Sequence, residues 1–269
     1  MKYLGGKYFL GKEISDVMKK LIPDEYKNNK YMEPFCGALS VLTYMNENFD
    51  CIASDYHPDL IEMWKGVQDN SFIPPKKINE TQYNKIKNYQ SPNAMKAFIG
   101  FGCSFGGRYF GAFAPKYANG KNEDYLKEAI NSINRKRPKI QGVEFKCISY
   151  SDIKPSNMII YCDPPYKFAR FPIKYRRDVK HYDVFENDKF WDIIREWSKN
   201  NIVFISEITA PKDFVSVWEK NSHRSVAQSK KTRYKTKSDS HTTEKLFLHK
   251  SLLKKLKPKL NIIQLPLLK

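Results

Sequence analysis

The chain of 269 residues is long enough to bury a sizeable core, as one domain or as one domain with an insertion. Its 47 Lys and Arg residues against 29 Asp and Glu give a formal net charge of +18, which favours a polyanionic partner, although coding bias toward lysine produces the same excess. Five scattered cysteines without a C-x-x-C pair indicate neither a disulfide framework nor a zinc site, and no metal is expected. With no signal peptide and no run of about 18 apolar residues, the protein is expected to be soluble and cytoplasmic, without membrane contact.

The first 70 residues carry the pattern of a nucleotide-binding sheet. Apolar runs predict strands over 31–34 and 51–55. A helical pattern follows each strand, through residue 46 in the first case and over 58–68 in the second. Strand, glycine turn, helix, strand and acid is the opening of an α/β sheet of the Rossmann type.

The segment from 74 to about 142 differs in composition, with more charge, more glycine and no strongly apolar strand. Amphipathic runs over 82–89 and 124–135 predict a small, mostly helical insertion. The predicted organisation is a first part of the sheet domain, the insertion, a second part of the sheet domain and a basic C-terminal extension: 1–75, 76–145, 146–250 and 251–269.

Further elements of the sheet domain are predicted after the insertion. Strands are expected over 158–162 and 202–206, with a helix over 188–199 between them. Another helix is expected over 212–218. The chain then alternates like a hairpin around a polar basic loop, with strands over 225–229 and 244–249.

The most specific motif is the run Asp163-Pro164-Pro165-Tyr166, directly after the strand predicted at 158–162. The exocyclic amine of adenine is a poor nucleophile because its lone pair is delocalised into the ring. The Asp163 carboxylate and the Pro164 carbonyl can each accept one amine hydrogen and so free the lone pair, while proline fixes the turn and Tyr166 stacks on the base. Taken alone, the run also fits an ordinary proline-rich turn after a strand.

The first strand leads into a turn with the character of a cofactor site. Glu33-Pro34-Phe35-Cys36-Gly37 brings a glycine, which permits close backbone approach, to a helix N-terminus with free N–H groups. Asp55 lies 22 residues beyond Glu33 at the end of the next predicted strand, where an acid accepts hydrogen bonds from ribose hydroxyls. A single glycine does not specify dinucleotide binding, and the turn alone fits a plain α/β connection equally well.

Four motifs occur in the order of a known family. Tyr3-Leu4-Gly5-Gly6-Lys7, Glu33-Pro34-Phe35-Cys36-Gly37, Ser54-Asp55 and Asp163-Pro164-Pro165-Tyr166 together resemble the Dam-type DNA N6-adenine methyltransferases, the D12 class with α-type motif order. The resemblance implies an α/β fold, a Rossmann-like S-adenosylmethionine-dependent methyltransferase sheet with an inserted small, mostly helical target-recognition domain. It also implies site-specific methyl transfer from S-adenosylmethionine to N6 of a flipped adenine in double-stranded DNA.

The resemblance assigns roles residue by residue. The implied cofactor contacts are Tyr3, Lys7, Glu33, Pro34, Phe35, Cys36, Gly37, Ser40, Asp55, Tyr56 and Asp163. The implied catalytic residues are Asp163, Pro164, Pro165 and Tyr166. Leu39 departs from the pattern because the family usually has glycine there, which leaves open whether Leu39 crowds the cofactor or packs beneath it.

Basic side chains beside these motifs are expected to contact DNA phosphates and to make binding fall steeply with salt. The cluster after the catalytic motif and the cluster in the hairpin loop are Lys167, Arg170, Lys174, Arg176 and Arg177, and Lys231, Arg233 and Lys235. Within the target-recognition insertion the expected contacts are Arg108, Arg135 and Arg137. The alternative is that these are solvated loops. An Asn-Gly pair common in Dam-type enzymes is missing here, so a GATC target is not assumed.

Three other functions remain open at this point. Cytosine N4 poses the same chemical problem as adenine N6, but cytosine enzymes more often have serine where Asp163 stands. An RNA substrate fits the motif order less well, and Leu39 favours a DNA-binding protein whose methyltransferase fold is inactive. A cognate restriction endonuclease is a conceivable partner, and the protein is expected to be a monomer or weak dimer.

Overall fold

The computed structural model describes residues 1–114, 117–118, 121–122, 124–165, 185–223 and 241–260. The strands in these residues are β1 Tyr31–Glu33, β2 Cys51–Asp55, β3 Tyr117–Ala118, β4 Lys121–Asn122, β5 Glu144–Cys147, β6 Ile159–Cys162, β7 Ile202–Glu207, β8 Phe214–His223 and β9 His241–His249. The α-helices are α1 Gly11–Leu21, α2 Leu42–Met45, α3 Pro58–Gln68, α4 Glu80–Lys87, α5 Ala94–Gly102, α6 Tyr125–Lys136, α7 Asn187–Asn200 and α8 Leu253–Leu260. None of the described helices is long and apolar enough to cross a membrane.

One seven-stranded sheet organises the molecule, in the strand order β5-β2-β1-β6-β7-β9-β8. The pairs from β5 through β7 are all parallel, whereas β9 runs antiparallel to both of its neighbours. The chain builds one half of the sheet outward from β1 through β2 to β5, then crosses back to place β6 on the other side of β1. The predicted Rossmann-like sheet is confirmed, and its topological switch point lies between β1 and β6.

The sheet is buried on both faces because its central strands alternate between two cores. In β6, Ile159 and Tyr161 pack into the core formed with α1, α3 and α5, whereas Ile160 and Cys162 pack into the core formed with α7. All four side chains are at most 2% exposed. A parallel strand buried on both faces reads as a continuous apolar run, which is why the sequence identifies β6 so clearly.

Several predicted elements agree closely with the structure. The strand over 51–55 and the helix over 58–68 have the same bounds as β2 and α3. Pro58 takes the first helical position of α3, and the His57 ring accepts a hydrogen bond from the Leu60 N–H at 3.4 Å as the N-cap. The predicted strands and helix of the second sheet part correspond to β6, β7 and α7.

The helix predicted over 212–218 is wrong, because this segment forms the start of β8. The registers of β8 and β9 shift between Ser216 and Trp218, which marks a β-bulge. Apolar residues at 214, 215, 217 and 218 have the spacing of a helix, and the bulge lets a strand carry them. The hairpin pairs β8 with β9, so its first strand starts before the predicted 225–229, which lies outside the described residues.

The structure also contains elements that the sequence did not predict. They are α1, α5, α8, β3, β4 and β5. Tyr83, Phe98 and Ile133 from the predicted insertion belong to the same core as the sheet domain. In the predicted C-terminal extension, Leu252 and Leu256 are buried in that core as well, so the extension is not peripheral at these residues. The predicted division into domains otherwise stays a prediction.

Candidate active site

The carboxyl ends of β1 and β6 lie side by side at the switch point of the sheet. The turn 34–41 follows β1, and Asp163 follows β6 directly. In open α/β sheets, ligands bind in the crevice outside the carboxyl ends of the strands at this point. The topology therefore brings the glycine turn and Asp163 to one edge of the sheet, although 126 residues separate Gly37 from Asp163 in the chain.

Asp163 is held by a lysine from the N-terminal segment. Lys7 Nζ donates a hydrogen bond to Asp163 Oδ1 at 2.6 Å and another to the Gly5 carbonyl at 3.2 Å. Glu244 Oε1, from β9, lies 3.6 Å from the same ammonium. Lys7 and Glu244 are each 6% exposed, and the Asp163 side chain is 18% exposed. One lysine thus faces two carboxylates.

The turn after β1 has a backbone that favours glycine at two positions. Gly37 has φ +43°, and a Cβ there would approach the Tyr3 ring to 3.0 Å. Leu39 has φ 56°, also in the left-handed region, yet its side chain is fully buried in the core. Leu39 therefore packs beneath the turn, and its positive φ explains why glycine is favoured at this position.

Asp55, at the end of β2, is joined to the glycine turn by its carboxylate. Oδ2 accepts a hydrogen bond from the Gly37 N–H at 3.1 Å, and Oδ1 accepts one from the His57 N–H at 3.0 Å. Burial raises the pKa of Asp55 to about 6, although the hydrogen bonds from these backbone N–H groups act to lower that pKa. Tyr56 beside it is 47% exposed. The carboxylate is thus fixed in direction at the sheet edge where a ribose was expected.

Glu33, at the end of β1, is buried beneath the site at 2% exposure. Its Oε1 accepts a hydrogen bond from the Tyr31 hydroxyl at 2.7 Å. Burial raises the pKa of Glu33 to about 8, and the negative charge of Asp163 acts in the same direction. Pro34 and Cys36 are buried as well, and the Cys36 N–H donates to the Ser54 carbonyl at 2.9 Å.

Two aromatic side chains flank the turn. The Tyr3 ring packs against Gly37 and lies 4.8 Å from the Phe101 ring, centre to centre. Phe35 is half-buried on the other core, with its ring 5.0 Å from that of Tyr150. The half-buried Ser40 follows in the same turn, and its carbonyl packs so closely on Gly11 that a Cβ on Gly11 would clash with it. The start of α1 and the turn after β1 are therefore in direct contact.

Two residues that sequence reasoning missed fix the carbonyl groups of the turn. Trp64 Nε1 donates to the Gly37 carbonyl at 2.9 Å, and Lys136 Nζ donates to the Ala38 carbonyl. The Lys136 ammonium also lies 5.5 Å from the centre of the Trp64 ring. Burial lowers the pKa of Lys136 to about 8, helped by the neighbouring charge of Arg135. The available signal was a lysine on the apolar stripe of α6, a position that water-exposed lysines avoid.

The predicted residues are only partly brought together within the described chain. Pro164 is buried and Pro165 exposed directly after Asp163. Among the DNA contacts, Arg135 is exposed, Arg108 is half-buried, and Arg137 Nε donates to the Val67 carbonyl at 3.2 Å. The remaining predicted residues lie outside the described residues: Tyr166, Lys167, Arg170, Lys174, Arg176, Arg177, Lys231, Arg233 and Lys235.

Comparison with known proteins finds a family model that matches part of the chain. The family model described as D12 class N6 adenine-specific DNA methyltransferase matches residues 3–98, a span that contains Lys7, Gly37 and Asp55. Among solved structures, a protein from Haemophilus influenzae described as a candidate methylase aligns with 89% of this chain and 98% of its own, at 10% identity and a TM-score of 0.34. No curated protein sequence matches the chain significantly.

Proposed function

We propose that this chain, whose residues 3–98 match the family model of D12 class N6 adenine-specific DNA methyltransferases, methylates N6 of an adenine flipped out of duplex DNA, with S-adenosylmethionine as the donor. The observation that carries the proposal is the contact of 2.6 Å between Lys7 and Asp163 at the switch point of the sheet. It links a motif inside the family match to the acid of the catalytic motif outside it.

Asp163 and the Pro164 carbonyl orient the amine of the target base. Each accepts one of the two amine hydrogens, which draws the nitrogen toward tetrahedral geometry and frees its lone pair for attack. Lys7 holds Oδ1 in place, so the acceptor is preorganised before the base arrives. Tyr166 is proposed to stack on the base, as the resemblance implies.

The residues at the edge of the sheet suit S-adenosylmethionine. The Gly37 turn offers a close backbone approach, and Asp55 offers a fixed carboxylate for ribose hydroxyls. When bound, the donor supplies a sulfonium-activated methyl group for direct displacement by the amine nitrogen.

Replacement of the acid tests this proposal. Asp163→Ala is expected to lower kcat about a thousandfold, within the range that loss of one positioned polar group costs. The variant should fold and bind DNA, because Glu244 remains 3.6 Å from Lys7 as a partner for the ammonium. The measurement is transfer of labelled methyl groups to duplex DNA, followed by mass spectrometry of the nucleosides to identify N6-methyladenine.

A matched control is Asp192→Asn, which alters an exposed carboxylate on α7 that pairs with Arg195. It should leave turnover unchanged. Turnover retained in Asp163→Ala, or methylcytosine as the product, would contradict the proposal. A cognate restriction endonuclease stays a conceivable partner, and a monomer or weak dimer stays the expected state.

A further inference from the structure

An exposed aromatic pair lies directly beside the candidate active site. Phe9 is 90% exposed, more than any other large hydrophobic residue that the structure describes, and Tyr8 is 59% exposed. Their rings meet edge to face with centres 5.0 Å apart. A large apolar side chain held this far into water stabilises the isolated fold little, which points to a role with a partner.

The residues close to the aromatic pair indicate which kind of partner it contacts. Phe9 is two residues from Lys7, so their Cα atoms are within about 8 Å, and Lys7 contacts Asp163. The Arg135 guanidinium lies 5.8 Å from the centre of the Tyr8 ring. The pair therefore lies close to Lys7, which contacts the proposed base-binding Asp163, and to Arg135, which is an expected phosphate contact.

Helix α1, which begins two residues after Phe9, contacts the hairpin. Glu13, in the first turn of α1, accepts a hydrogen bond from Trp218 Nε1 at 3.1 Å and pairs with Lys220. Both partners belong to β8, which leads into the segment with the second predicted basic cluster. The positive charge of Arg135 beside an exposed aromatic pair fits a polyanion with stacked bases, and duplex DNA has both.

We propose that Phe9, supported by Tyr8, enters the base stack of the duplex beside the target adenine and occupies the space that the flipped base leaves. This inference rests on the proposed function and adds a residue to it. An unstacked base costs the duplex contacts on both sides, and an apolar ring inserted between base steps restores part of them. Phenylalanine has no hydrogen-bonding group, so this contact is independent of the base sequence.

The experiment compares two duplexes that contain the sequence methylated by the wild-type enzyme, identified beforehand by modification-sensitive sequencing. In one duplex the target adenine is paired, and in the other it lies opposite an abasic position, where no base pair has to be broken. Phe9→Ala should lower kcat/KM about tenfold on the paired duplex. On the abasic duplex it should reach the wild-type value within about twofold. Phe9→Trp, which keeps a stacking ring, should stay close to wild type on both.

A second readout and a control accompany the kinetics. With 2-aminopurine at the target position, the wild type should increase the fluorescence on binding, and Phe9→Ala should lose most of that increase. The control Ile73→Ala removes another strongly exposed apolar side chain, 78% exposed between α3 and α4, and should change neither measurement. Equal losses on both duplexes, or no loss in Phe9→Ala, would overturn the inference while leaving the proposed function intact. A wild type that methylates no duplex would instead contradict the proposed function itself, and this inference with it.

Discussion

At the scale of the residue, Leu39 combines a backbone that suits glycine with a side chain that suits the core. A left-handed conformation costs an L-residue roughly 1 to 2 kcal/mol. Full burial of a leucine contributes about 1.5 to 3 kcal/mol, and Leu39 is 0% exposed. The burial outweighs the strain, so leucine is tolerated at a position where the resemblance led us to expect glycine.

Two substitutions at this position separate the two effects. Leu39→Ala keeps the strained backbone and loses the packing, so we expect the free energy of unfolding to fall by about 3 kcal/mol. Leu39→Gly loses the same packing but relieves the strain, so the fall should be smaller by about 1 kcal/mol. Urea denaturation measures both. Leu39→Gly should also bind S-adenosylmethionine with wild-type affinity in calorimetry, because the leucine side chain points into the core. A clear gain in affinity would show that Leu39 crowds the cofactor.

The sequence could identify residues whose role follows from a local motif. Asp163 follows an apolar strand, Gly37 lies in a strand-to-helix turn, and Asp55 ends the next strand; the structure brings the three to one edge of the sheet. Lys136 could not be found in this way. It reaches the site from a distant element, and only the folded chain brings it there.

At the scale of the element, helix α6 of the predicted insertion supports the turn 34–41 after β1. Lys136, at the end of α6, donates to the Ala38 carbonyl and lies over the Trp64 ring. Lys136→Met should weaken S-adenosylmethionine binding about tenfold, since a hydrogen bond to a charged donor contributes about 1.5 to 3 kcal/mol. Stability should change little, because a methionine of similar volume removes the cost of burying the charge. Calorimetry gives the affinity, and thermal unfolding gives the stability.

The same prediction has a pH signature. The pKa of Lys136 is lowered to about 8, so its ammonium is fully present below that pH and is lost as the pH rises through it. Wild-type affinity should therefore weaken above about pH 8 relative to Lys136→Met. Titration of the ligand's own groups affects both proteins equally and cancels in the comparison. Lys139→Met, an exposed lysine just past α6, is the control and should follow the wild type.

The sequence mispredicted β8 as a helix and did not predict α5. The bulge between Ser216 and Trp218 gave β8 the apolar spacing of a helix. The sequence did not predict α5, because the glycines at 100 and 102 weaken the helical pattern, although the Asn93 side chain caps the helix by accepting from the Lys96 N–H at 3.0 Å. Gly100 is needed because a Cβ there would lie 2.6 Å from the Phe110 and Tyr109 rings. Tertiary packing, invisible in a single sequence, decided both elements.

At the scale of the whole molecule, the net charge of +18 contributes to the proposed DNA binding mainly where basic side chains face the duplex. A general excess of lysine raises the attraction to any polyanion, whereas a bound phosphate releases counterions at one contact. These two contributions respond differently to removal of a single charge. Arg135 on α6 and Lys199 on α7 are both exposed and each carries one positive charge, so they form a matched pair.

We expect duplex affinity of the wild type to fall more than about a hundredfold between roughly 50 and 200 mM salt. Arg135→Ala should make the slope of log K against log salt less negative by about 0.9, the value for one phosphate contact. Lys199→Ala lowers the net charge by the same amount but should leave the slope unchanged, because α7 packs on the opposite face of the sheet from α6. Fluorescence anisotropy with a labelled duplex at five or more salt concentrations gives the three slopes. Equal slopes for the two variants would mean that the basic excess acts as a diffuse charge, and that Arg135 does not contact the backbone.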